Sequence, residues 1–151
     1  MQSRLRQLAS VLTALLLLGP AAAAPTAAPA AKPDKPAAGK LPALTWHRSI
    51  DKALTKASAT YKPVFVLFTS PGCGWCRRLK NDALARKETR ALLQHFELAL
   101  IDIMEDRKTA ATFRVNTVPR LFIMSSRGDI RAQVSGYLPP ENLQKLLANS
   151  L

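Results

Sequence analysis

The sequence predicts an α/β domain with a central mixed β-sheet flanked by helices, and three observations carry that expectation. Apolar runs of strand length alternate with segments whose apolar residues recur at helical spacing. Two late strands are joined by a short polar turn, which makes a hairpin and so a sheet of mixed direction. The only two cysteines, Cys73 and Cys76, share one C-x-x-C between an apolar strand and a helix start.

Residues 43–47 read as a short first strand with Trp46 as its core anchor. Ser49 is placed to cap a helix through Ile50, Ala53, Leu54 and Ala57. Tyr61-Lys62-Pro63 breaks that helix and opens the strand Val64-Phe65-Val66-Leu67-Phe68-Thr69. Ser70-Pro71-Gly72 is turn chemistry, and the helix that follows turns Cys76, Leu79, Ala83 and Leu84 inward. A second short helix covers residues 88–94, and 96–104 reads as another buried strand. Asp106 caps a helix through Ala110 and Phe113. Val118-Pro119-Arg120 leads into the strand 121–124, Ser126-Arg127-Gly128-Asp129 turns into the strand 130–135, and Gly136 ends it. Pro139-Pro140 starts a last helix with Leu143, Leu146 and Leu147 on one face.

The first residues read as an export signal, assigned to 1–24. Arg4 and Arg6 precede an apolar run from Leu8 to Leu18, then Gly19-Pro20 and a cluster of alanines. The run falls short of the ~20 residues that span a bilayer comfortably, so an uncleaved membrane anchor is the less favoured reading. Residues 25–40 are Ala, Pro and Lys with one Thr, one Asp and one Gly. Such a stretch buries too little apolar surface to offset its ordering entropy, and a disordered tether is expected. Residues 41–151 remain, about 110 in number, which suits one small domain.

The formal net charge is +12. Lysines and arginines are scattered, with no basic stripe interleaved with aromatics, so a nucleic-acid partner is not expected. The charge reads as solubility and loose attraction to anionic surfaces. An exported chain with no cysteine outside the motif has no disulfide framework and depends on its hydrophobic core.

A C-x-x-C at a strand-to-helix junction has its own chemistry. Amide N–H groups at the helix start stabilise a thiolate at the first cysteine, and the second lies close enough to attack a mixed disulfide formed there. The pair reads as a dithiol/disulfide redox centre. His47 and His95 are too few, and too far apart in sequence, to suggest a site.

From about Trp46 to the C-terminus the chain resembles the thioredoxin superfamily, and most of all exported bacterial thioredoxin-like proteins. The pieces occur in order: Trp46 before a helix, Lys62-Pro63 opening a strand, Cys73-Gly74-Trp75-Cys76, Asp102 closing the next strand, Val118-Pro119 before the hairpin, and Gly136-Tyr137 before the final helix. The resemblance implies the thioredoxin fold and a thiol–disulfide oxidoreductase of the periplasm. It makes Cys73 the attacking thiol and Cys76 the resolving one. It makes Pro119 a cis proline facing them, leaving the backbone of Val118 free to pair with an extended substrate. Trp75 either docks substrate or merely covers the helix start. Arg77, Arg78 and Arg120 read as solvated side chains. The buried acid that thioredoxins carry on the strand before the motif is replaced by Leu67, so another base or water takes the resolving cysteine's proton.

The expected partners are protein disulfide substrates and a membrane protein that donates electrons, with reductase or isomerase-type service favoured over oxidation. No cofactor is called for, no metal site is assigned, and a monomer is expected. The alternative is a copper-binding or assembly module using the same thiols, since two thiolates hold a soft ion such as Cu(I) but leave Zn(II) short of ligands.

Overall fold

The computed structural model describes residues 43–151. The expected export signal at 1–24 and tether at 25–40 lie outside the described residues. In chain order the elements are β1 (Trp46–His47), α1 (Ile50–Thr60), β2 (Val64–Thr69), α2 (Gly74–Asn81), α3 (Lys87–Leu93), β3 (Glu97–Asp102), α4 (Arg107–Thr112), β4 (Arg120–Met124), β5 (Ile130–Ser135) and α5 (Pro140–Ala148).

The five strands form one sheet in the order β1-β3-β2-β4-β5. β1, β3 and β2 run parallel, whereas β4 and β5 are antiparallel to their neighbours. A parallel pair requires a crossover, and the helices supply it. β2 lies at the centre with all six residues buried, which explains its unbroken apolar run. Its side chains alternate between two layers. Val64, Val66 and Phe68 join a cluster with Ile50, Ala53 and Ala57 of α1 and Ala110 of α4. Phe65 and Leu67 join a second cluster with Leu79 of α2, Leu93 of α3, and Leu143 and Leu147 of α5. Each fully buried Leu or Phe contributes roughly 1.5–3 kcal/mol, so the two layers supply the stability that a cysteine-poor chain needs.

Several boundaries differ from the sequence expectation, each for a physical reason. β1 is two residues long, because only Trp46 and His47 find partners, Leu98 and Ala99 of β3. Ser49 occupies the N-cap of α1, but its side chain makes no capping bond. Asp106 caps α4 as expected, accepting from the Thr109 N–H at 3.0 Å. The Thr109 side chain first, and that backbone N–H second, hold the Asp106 carboxyl below its ordinary value. β3 is shorter than 96–104. Phe96 donates its N–H to Leu93 in a turn, and the Asp102 carboxylate accepts the Met104 N–H and bends the chain away. α2 ends at Asn81, yet Ala83 and Leu84 remain buried beyond it because Leu84 N–H reaches back to the Leu79 carbonyl at 3.0 Å.

Candidate functional site

β2 delivers the chain to the motif through a turn in which Gly72 takes φ +77°, a left-handed conformation that a side chain would strain. Cys73 follows as the N-cap of α2, and its Sγ accepts the backbone N–H of Cys76 at 3.1 Å. The side chain thus satisfies one of the orphan donors of the helix start. Cys73 and Cys76 are joined by a disulfide with their Cα atoms 5.3 Å apart. They are unequal in access: Cys73 is half-buried and Cys76 is 1% exposed.

Trp75, Val118 and Pro119, scattered in sequence, come together with Gly136 and Tyr137 around an open, mainly apolar cleft of about 330 Å³. The Val118–Pro119 bond is cis, as the resemblance implied. Gly136 takes φ +83° and donates its N–H to the Pro119 carbonyl at 2.8 Å, which seats the turn after β5 against the proline.

Tyr137 is the residue to which the sequence gave no role, and it ties the cleft together. Its hydroxyl donates to the Asp82 carboxylate at 2.5 Å, linking the turn before α5 to the C-terminal end of α2. That hydrogen bond is the first cause lowering the Asp82 pKa below its ordinary value and the first cause raising that of Tyr137. Arg86 adds an ion pair to Asp82 at 3.3 Å. The Tyr137 ring lies 6.0 Å from that of Trp75. The Gly-Tyr before the last helix was the only sequence signal for it.

Two of the three arginines read as solvated also make side-chain contacts, Arg78 while remaining exposed and Arg120 half-buried. The Arg78 guanidinium lies over both rings, 5.4 Å from the Trp75 centroid and 4.8 Å from that of Tyr137. Its position three residues after Trp75 puts the two on one helix face. Arg120 bonds to Ser135 and to Gln133, the latter at 2.9 Å, and stacks on Phe122 at 5.6 Å. Arg77 is exposed. His95 is exposed, and His47 pairs with Glu97 at 3.5 Å, away from the cysteines in the fold's order.

Leu67 is fully buried and borders a second, apolar cavity of about 240 Å³ with Leu44, Trp46, Leu84, Leu100 and Lys80. No carboxylate lines it. Among the described residues no group of three or more His, Cys, Asp or Glu side chains is arranged to hold a metal ion.

A family model described as a thioredoxin-like domain matches residues 50–150. No curated protein matches the sequence. Among solved structures, a thioredoxin from Thermus thermophilus is similar with a TM-score of 0.63 and 23% identity, covering 70% of this chain and 85% of that one. A disulphide isomerase from Xylella fastidiosa is similar with a TM-score of 0.57 and 22% identity, covering 66% and 86%. The C-terminal domain of DsbD from Neisseria meningitidis, in its reduced form, gives 0.59 and 16%, covering 67% and 93%. At these identities the structural likeness speaks for the fold, and the family match carries the assignment. With its mixed five-stranded sheet and a Cys-x-x-Cys pair closed as a disulfide at the head of α2, this chain belongs to the thioredoxin-like domain family and has the fold of a thioredoxin-like oxidoreductase.

Proposed function

We propose that the protein exchanges disulfides with protein substrates in the periplasm, as a reductase or isomerase-type oxidoreductase, through Cys73 and Cys76. The observation that carries this reading is the half-buried Cys73 sulfur at the N-cap of α2, bonded to a shielded Cys76 beside an open cleft. Once the pair is reduced, a thiolate at Cys73 attacks one sulfur of a substrate disulfide. The S–S bond breaks, one substrate thiolate leaves, and a mixed disulfide forms on Cys73. Cys76, having lost its proton, attacks the Cys73 sulfur and releases the second substrate thiolate. Two electrons pass to the substrate, its sulfurs end protonated, and the Cys73–Cys76 bond is restored. Trp75, Val118 and Pro119 form the docking surface for the extended substrate segment. With Leu67 in place of an acid, another base or water takes the Cys76 proton. A membrane protein resupplies electrons; among the described residues no helix of this chain is long and apolar enough to cross a membrane. The copper alternative gains no third ligand among the described residues, so no observation favours it.

Replacement of each cysteine by serine tests the reading. Cys73→Ser abolishes reduction of an insulin-type disulfide. Cys76→Ser retains attack but accumulates mixed disulfides with client proteins on non-reducing gels. Equal trapping by both variants, or activity surviving in Cys73→Ser, refutes the roles; absence of any mixed disulfide favours the copper module.

A further inference from the structure

We propose that the cleft selects substrates in which an acidic residue flanks the reacting cysteine, and that Arg78 reads that residue; the inference rests on the disulfide-exchange reading above. The cleft itself is apolar, formed by Trp75, Val118, Pro119, Gly136 and Tyr137, and offers no charge of its own. Its rim does. The Arg78 guanidinium lies over the Trp75 and Tyr137 rings beside the cleft, and the residue stays exposed to solvent. A guanidinium held over two rings has already given up much of its rotamer freedom, so a carboxylate that meets it orders little else.

The nearby acid does not occupy that role. Asp82 takes the Tyr137 hydroxyl at 2.5 Å and the Arg86 guanidinium at 3.3 Å, and Arg78 is the last among the causes lowering its pKa. Among the described residues no carboxylate lies in ion-pair contact with Arg78. Residues 70–86, 113–125 and 130–140, which supply the cleft and its surroundings, carry Arg77, Arg78, Lys80, Arg86, Arg114, Arg120 and Arg131 against one acid, Asp82, with Asp129 and Glu141 just outside them. A partner segment that presents Glu or Asp next to its cysteine therefore meets an unpaired, fixed cation, whereas Lys or Arg there meets repulsion and slower encounter.

The test uses the full chain in its reduced form against three synthetic peptide disulfides identical except for a Glu, Gln or Lys beside the cysteine. Second-order exchange constants are measured at low and at high salt. The expected ranking is Glu over Gln over Lys, with about a tenfold span at low salt that shrinks at high salt, as for a partly exposed charge contact. Arg78→Gln brings the Glu-to-Lys ratio close to one, and Arg78→Glu inverts it. Arg131→Gln, which removes an exposed arginine of β5, keeps the ratio. A flat ranking in the unmodified protein overturns the inference and leaves disulfide exchange standing. A ratio that survives Arg78→Gln, or falls equally in Arg131→Gln, also overturns it, because the preference then belongs to the net charge of the chain. Failure to exchange with any peptide overturns both readings.

Discussion

On one face of β2, Val64, Val66 and Phe68 meet alanines of α1 and α4; on the other, Phe65 and Leu67 meet leucines of α2, α3 and α5. The first face uses small residues on its helices and fills the space with rings. Phe68, Phe113 and Phe122 pack with centroids 5.5–5.7 Å apart. The second face carries the helix that begins with the cysteines, and it contains the apolar cavity beside Leu67. One strand thus serves two ends. Its aromatic side packs α1 and α4 and seats Val118 of the cleft, and its leucine side fixes where α2, and with it the disulfide, sits.

The difference is broken most directly by truncating one residue on each face. Phe68→Ala is expected to cost about 3–5 kcal/mol, and Leu79→Ala on the inward side of α2 about 2–5 kcal/mol, by denaturant unfolding. Only the second is expected to change the rate at which an alkylating agent reacts with Cys73 in the folded, reduced protein. Equal effects on that rate would dissolve the division of labour between the faces.

A finer test concerns the link between the leucine face and the cleft. In the Tyr137–Asp82 bond, the carboxyl value is lowered by folding, so its stabilising contribution is present above the ordinary carboxylate value and lost as pH falls through the lowered one. The tyrosine value is raised, so the contribution is present below the ordinary value and lost as pH rises through the raised one. Tyr137→Phe is therefore expected to lower the melting temperature slightly between about pH 4 and pH 10, with the gap to the unmodified protein closing outside that window. A gap independent of pH would mean that the hydroxyl contributes nothing through Asp82.

The sequence made the strands and the cysteine pair legible because their signals are local. β2 is a contiguous apolar run bounded by Pro63 and the Ser70-Pro71-Gly72 turn, and Cys73 and Cys76 sit at its exit. Helical spacing placed Ala83 and Leu84 correctly inward but not the end of α2, since a chain leaving a helix through a bond from Leu84 to Leu79 keeps both residues on the buried side. The expected extent of β3 failed at Asp102, whose side chain turns the backbone in a way that an apolar pattern does not announce. The cleft rim was hidden for a different reason. Arg78 looks like one charge among many until Tyr137, far along the chain, is brought over it, and Asp82 looks like a solvated acid until the same tyrosine donates to it. Contacts between segments so distant in sequence leave no periodicity.

The hydrogen bond from the Cys76 N–H to the Cys73 sulfur has a consequence for turnover. The donor that finishes the helix when the sulfur is half of a disulfide is the same donor that faces it when it carries charge. Opening or closing the bond is thus expected to ask for no new cap and no unwinding of α2, so that the reduced and oxidised forms keep the same helix start. Amide hydrogen exchange along residues 76–81 is expected to be equally slow in both forms, and a helix that loosens on reduction would contradict this. If exchange proceeds as proposed above, an unchanged helix in both forms places the rearrangement of each exchange on the partner chain.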